Sequence, residues 1–194
     1  TYIEFLLPGL AAMGSMIQSF AIGSEINIAR FYWGIFEEIQ SSPVSDLAYV
    51  TGEVLSGVTR ALLSTIIIII IASVSGVFLN YGLFFWCGVL LNALFFSSIA
   101  VGFAMLVRSH ADQALLSNFI ITPMAFLGGT FFPTEHMPGL IQGALSALPL
   151  THASRVIRDG AFGKDPPVSS LLLLALLGAA AFGFAVAMVR RARD

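Results

Sequence analysis

Apolar residues in this chain gather into five long runs, separated by short polar stretches. A helix needs about 20 largely apolar residues to cross the hydrocarbon core of a bilayer. Phe5 to Ser24, Ala61 to Leu79, Tyr81 to Val107, Ala114 to Phe132 and Val168 to Val189 meet that requirement. The second run contains six consecutive isoleucines, Ile66 to Ile71, which in water would favour a strand. In lipid only helices and closed barrels satisfy the backbone, and the alternation of a barrel strand is absent, so the run predicts a helix. Pro123 predicts a kink in the fourth span near Gly128 and Gly129. Met137 to Leu150, bounded by Pro138 and Pro149, is too short to span and reads as re-entrant or interfacial. The pattern predicts an all-α polytopic membrane protein with about five spans and a re-entrant outer helix pair.

Between the first two spans the period changes. Ile28, Tyr32, Ile35, Phe36 and Ile39 fall in one narrow arc, with Arg30, Glu37 and Ser41 opposite, which predicts an amphipathic helix. Ser42 then reads as an N-cap with Pro43 in the first helical position, and Asp46 falls in a first turn, where the helix dipole favours a carboxylate. A second short helix, Pro43 to about Leu55, leads into span two. Such a loop is either a plain connector or a docking element for a cytoplasmic partner.

Composition agrees with the pattern. Of 194 residues 57% are hydrophobic and only 10% charged, against about 25% charged in a soluble domain. A soluble globule could not hide that much apolar surface, so soluble enzymes and disordered chains are excluded. A net charge of −2 gives no basic footprint for nucleic acid. The single cysteine, Cys87, excludes an intrachain disulfide and a CxxC metal site. With the loop after span one in the cytoplasm, Arg30, Arg60, Arg108, Arg190, Arg191 and Arg193 lie inside, and Arg155, Arg158 and Lys164 outside, as the positive-inside rule favours.

Candidate chemistry is sparse. Gly160-Ala-Phe-Gly163-Lys164-Asp165 lacks the spacing of a phosphate-binding loop. Ser154, His152 and Asp159 are too close in sequence to be placed independently as a triad, and Glu135-His136 lacks a second histidine at metalloprotease spacing. No ionisable residue sits in mid-span, which argues against a proton relay. Gln18, Asn92 and Asn118 are polar at depth. They read as interhelical hydrogen-bonding groups or as markers of a substrate path. Small residues recur at i, i+4 along span one (Ala11, Ser15, Ser19, Gly23) and span five (Ala175, Ala179, Gly183, Ala187) and permit close helix approach, within one chain or between subunits.

Two longer motifs carry a resemblance. FYWGIFEEIQSSPVSDLAYVTGEVLSG, preceded by YIEFLLPGLAAM, resembles the coupling region and preceding span of ABC-2 type transporter permeases. GGTFFPTEHMPGLIQGALSALPLTHASRVIRDGAFG resembles that family's outer signature region, with Pro149, Leu150, His152 and Arg158 in its pattern. The resemblance implies one ABC-2 transmembrane domain over residues 1–194, with the type V exporter-like fold. It also implies a missing N-terminal interface helix and first span, about 60 residues. The coupling loop would be residues 25–56, with Phe36, Glu37, Glu38, Ser42, Pro43 and Asp46 at the ATPase contact. The outer re-entrant region would be residues 130–166, with Phe131, Phe132, Pro133, Pro149, His152 and Arg158 at an outer gate. Ala11, Ser15, Gln18 and Ser19 would line a conduit or dimer seam. The implied function is the permease subunit of an ATP-driven exporter of an amphiphilic, glycan-like or drug-like substrate, in a bacterial or archaeal cell membrane. No cofactor is expected in this chain. ATP and Mg²⁺ would be bound by a separate cytoplasmic ATP-binding subunit, and a second copy or homologous permease would complete the path. A non-transporting assembly or receptor subunit, or a channel, is the alternative.

Overall fold

In a computed structural model, residues 2–131, 143 and 145–193 are described, with the backbone alone for Glu37 and Gln40. Among them the regular structure is helical. Helices α1 (Tyr2–Phe20) and α2 (Ile22–Phe31) form one rod with an irregular turn at Ala21. After α3 (Ile35–Ser41) come α4 (Asp46–Val74) and α5 (Leu83–Leu106). The fourth apolar run is α6 (His110–Leu116), a π-helical turn (Ser117–Ile121) and α7 (Thr122–Leu127). Helices α8 (Pro149–Ala161) and α9 (Val168–Arg193) follow. Among the described residues, four helices are long and apolar enough to cross a membrane: Tyr2–Phe31, Asp46–Val74, Leu83–Leu106 and Val168–Arg193.

Helix α5 is the axis of the bundle, packed by α1, α4, α8 and α9. Its surface suits that place, because Gly88, Ala93, Ser97, Ala100 and Gly102 let neighbours approach closely. A Cβ at Gly102 would stand 2.3 Å from the Phe184 ring, and one at Gly57 of α4 would stand 2.7 Å from Ser97. The polar residue at its centre, Asn92, donates to the Ala12 carbonyl at 3.0 Å and to Ser15 Oγ at 2.8 Å. Asn92 is thereby an interhelical hydrogen-bonding group of α1 and α5.

Several sequence expectations change. The amphipathic helix expected across Ile28 to Ser41 is broken, because the chain turns at Tyr32 to Gly34 and Gly34 has φ +65°, the left-handed conformation glycine adopts freely. The expected cap at Ser42 is not the one used. Ser42 precedes a proline, which holds it extended at ψ 155°, and its hydroxyl donates back to the Ile39 carbonyl at 2.8 Å. Ser45 caps instead, accepting from the Ala48 N–H at 3.2 Å, and α4 runs unbroken from Asp46 through span two. In the fourth run the irregularity lies ahead of Pro123 rather than at Gly128. Proline has no N–H and its ring crowds the carbonyl four residues back. The preceding turn is accordingly wound as a π-helix, with the Thr122 N–H bonded to the Ser117 carbonyl. Half of Met137 to Leu150 (residues 137–142 and 144), with Phe132 and Pro133, lies outside the described residues.

The two ends of the bundle separate the charges. Arg30, Arg60, Arg108 and the α9 arginines belong to the end formed by α2–α4, the α5 C-terminus and the α9 C-terminus. Arg155, Arg158 and Lys164 belong to the opposite end. With four such helices among the described residues the chain is a multi-pass membrane protein.

Candidate functional site

At the arginine-rich end, α3 and the start of α4 form an elbow around Pro43. Phe36 is buried and meets the Tyr49 ring edge-to-face at 5.9 Å, so it anchors α3 rather than facing outward. Above it lies Arg30, 5.5 Å from the Phe36 ring centre. Arg30 donates to the carbonyls of Ala104 at 3.1 Å and Met105 at 3.2 Å. Placed on the polar arc by the sequence, Arg30 in fact caps the C-terminus of α5, where unpaired carbonyls attract a cation. Glu38 and Pro43 are exposed and Ser42 is half-buried. Asp46 accepts from Arg193 at 2.6 Å and lies 3.5 Å from Arg190. It stands about four turns ahead of Ala61, where the apolar stretch begins. The Arg193 hydrogen bond holds its carboxyl below the usual range, against the opposing effect of partial desolvation. Glu25 and Arg60 form a two-pronged ion pair that fastens α2 to α4.

At mid-membrane depth the two expected small-residue stripes part company. Ala11, Ser15 and Ser19 are buried within this chain and pack against α4 and α5, which is the intrachain alternative. Gln18, on the flank of that stripe, is exposed. Asn118 is exposed too, on the π turn. Between α1 and the run from the π turn to α7 lies a groove of about 300 Å³, walled by Met13, Ile17 and Phe20 on one side and Ile121, Ala125 and Phe126 on the other. Ser24, Ser117 and Thr122 add hydroxyls to it. In span five the reverse holds: Ala175, Ala179, Gly183 and Ala187 are exposed, while Leu174, Gly178, Ala181, Ala185 and Val189 are buried.

At the end opposite the arginine-rich one, the glycine-rich turn after α7 is fastened through its carbonyls. Ser154 donates to Gly128 at 2.7 Å, Arg158 to Gly129 at 2.8 Å and the Tyr2 hydroxyl to Phe131 at 3.2 Å. The Arg158 guanidinium also lies 4.0 Å from the Phe5 ring centre, a cation–π contact with α1. Phe131 stacks on Phe126 at 5.6 Å. Pro149 starts α8, the position where a missing N–H costs least. His152 bridges the Ser146 carbonyl (Nε2, 2.8 Å) and Ser170 Oγ (Nδ1, 3.2 Å). A carbonyl only accepts, so Nε2 carries a proton and donates to Ser146. These side chains are occupied by backbone and hydroxyl partners, an arrangement for positioning helices rather than for hydrolysis. No cluster of metal-ligating side chains occurs among the described residues.

Sequence reasoning missed three fastenings. Arg193 was only an inside marker, and nothing local tied it to the elbow. The Glu25–Arg60 pair spans two elements, and opposite charges there were visible but not linked. Asn27 and Gln113, both fully buried, pair at 3.2 Å. They read as loop and span-edge residues because each sits where the apolar pattern ends.

Compared with known proteins, residues 1–162 match the family described as ABC-2 type transporter. The inner membrane transport permease YadH of Escherichia coli (strain K12) is 26% identical over 200 aligned residues, covering 100% of this chain and 77% of that protein. Nodulation protein J of Rhizobium meliloti (strain 1021) is 30% identical over 170, covering 84% of this chain and 63% of that protein. The daunorubicin resistance ABC transporter permease protein DrrB1 of Streptomyces coeruleorubidus is 25% identical over 162, covering 81% of this chain and 57% of that protein.

Proposed function

The chain belongs to the ABC-2 type transporter family, and on that footing we propose that it is the permease subunit of an ATP-driven exporter in a bacterial or archaeal inner membrane. A separate cytoplasmic subunit binds ATP and Mg²⁺ and docks on the elbow of residues 25–56, against the exposed face of α3 that carries Glu38. A second copy, or a homologous permease, faces the groove between α1 and the π turn, and the substrate passes along that seam. The observation that carries this reading is the groove itself. Ser24, Ser117 and Thr122 place hydroxyls in its otherwise apolar lining, and polar side chains facing lipid are costly where those facing a shared path are not. Its mixture of aromatic, aliphatic and hydroxyl groups suits an amphiphilic or glycan-like cargo. The relatives named for transport and for daunorubicin resistance support the same class of function.

The experiment replaces Glu37 and Glu38 by lysine in the full-length permease assembled with its ATP-binding subunit. Membrane insertion stays intact and permease-dependent ATP hydrolysis is lost. Unchanged hydrolysis in a correctly inserted variant removes the docking assignment.

A further inference from the structure

The C-terminal turn of α9 reaches across the arginine-rich end to the elbow. The guanidinium of Arg193 makes three hydrogen bonds there: to the Ile39 carbonyl at 3.1 Å, the Val44 carbonyl at 2.8 Å and the Asp46 carboxylate at 2.6 Å. These acceptors belong to three consecutive pieces of chain. Ile39 is in the last turn of α3, and its carbonyl also accepts from the Ser42 N–H and hydroxyl. Val44 is in the extended link after Pro43, and Asp46 opens α4. One planar fork therefore fixes the angle between α3 and α4, which a proline and two extended residues alone would leave adjustable. The Arg193 and Asp46 side chains are each only 20% exposed, so solvent competes weakly for the pair. Arg190 adds a second, more exposed contact to the same carboxylate, at 3.5 Å. Arg191 is exposed and bonds to none of these acceptors. The end of α9 is itself anchored, since Ala185 and Val189 are buried in the bundle core.

We propose that Arg193 is a positioning residue that locks the elbow to the last span, so that a displacement of the elbow is delivered to α9 directly as well as through α4. The proposal rests on the reading that the elbow receives the ATP-binding subunit. Conformational signals pass between elements where rigid parts share contacts, and this guanidinium, with Arg190 beside it, joins the elbow to α9. Lysine in its place keeps one point charge for Asp46 but lacks the fork that reaches two carbonyls as well. Glutamine keeps neither.

The test uses the full-length permease assembled with its ATP-binding subunit, Cys87 replaced by serine, and spin labels at Ser41→Cys on α3 and Ala187→Cys on α9. Electron–electron distance measurements give one narrow distribution in the parent protein, retained when ATP hydrolysis is trapped with vanadate. In Arg193→Gln the distribution broadens, in Arg193→Lys it broadens less, and in Arg191→Gln it is unchanged. Permease-dependent ATP hydrolysis in Arg193→Gln falls at least about five-fold in kcat, a typical lower bound for site-to-site coupling, with the KM for ATP unchanged. An unchanged distribution in Arg193→Gln, or equal broadening in Arg191→Gln, overturns the lock whatever happens to hydrolysis. If the distribution follows the expected order while hydrolysis ignores both Arg193→Gln and Glu38→Lys, the lock stands and the docking site lies elsewhere.

Discussion

Replacing Gly160 by alanine adds a single methyl group where α8 lies on α5. The new Cβ would stand 2.4 Å from the Phe85 nitrogen, 2.8 Å from the Phe84 carbonyl carbon and 2.9 Å from the Phe85 Cα. All three are backbone atoms near the start of α5, so no side chain can swing aside. Restoring ordinary contact near 3.5 Å requires α8 to lift by about 1 Å, loosening the packing of Val156, Ile157 and Ala161. Overpacking of this kind costs about 1–3 kcal/mol, and the better helix propensity of alanine returns less than about 1 kcal/mol near a helix end. The net loss of about 1–2 kcal/mol corresponds to a fall in melting temperature of about 2–8 °C for a chain of this size. Gly183 is the control: it lies within α9 and no atom would be within 4 Å of its Cβ, so Gly183→Ala gains up to about 1 kcal/mol. Thermal unfolding of the detergent-solubilised full-length permease, followed by the loss of its monodisperse chromatographic peak, ranks the three proteins. Gly160→Ala melting with the parent, or Gly183→Ala falling below it, refutes the packing argument.

Asn92→Leu removes two interhelical hydrogen bonds and lowers stability by about 1 kcal/mol, the scale of such bonds in membranes; Asn92→Asp, which buries a carboxylate against the Ala12 carbonyl, costs more, and equal melting of the two variants would contradict the assigned bonds. The exposed Glu25–Arg60 pair couples by about 0.2–1 kcal/mol in a double-mutant cycle, weakening with salt; coupling that persists in molar salt would mean the pair is buried in the assembled protein. In a chain without Cys87, cysteines at Gln18 and Asn118 react with a water-soluble maleimide or join two subunits, while cysteines at Ser15 and Ser19 stay unmodified; the opposite pattern would put the shared path on the other face of α1.

The long elements were legible because lipid permits few alternatives: twenty apolar residues with an unsatisfiable backbone must be helical. What the pattern could not give was the direction in which each helix faces. Ala11, Ser15, Ser19 and Ala175, Ala179, Gly183, Ala187 look alike as spaced small residues, yet the first set is buried and the second exposed. In a bilayer both faces of a helix are apolar, so hydrophobicity loses the power to orient that it has in water. The elbow was misread for a local reason. Ser42-Pro43 and Ser45-Asp46 both resemble helix starts, and the constraint that proline places on the residue before it outweighs its preference for the first helical position. Gly34 was the signal for the broken helix, hidden by apolar residues that keep helical spacing on both sides of the break.

The placement of polar contacts follows from the same economy. Hydrogen bonds between helices at mid-depth are worth little, because alternative partners exist in the unfolded bilayer state, whereas ion pairs and carbonyl caps can operate in the headgroup layers. The described contacts obey this. Asn92 is a single amide at the α1–α5 contact, while Arg30, Arg60, Arg193 and Arg158 act at the two ends. The run from α6 to α7 is fastened in the same way, by Gln113 to Asn27 at one end and by Gly128, Gly129 and Phe131 at the other. Between those fastenings it leaves Phe119 76% exposed and Phe126 55% exposed, and its ladder is loosened by the π turn. A helix held at both ends, irregular in the middle and lightly packed there has its slack at mid-membrane depth, beside the groove between α1 and the π turn. That is where a second subunit or a passing substrate would meet the least resistance from this chain's own packing.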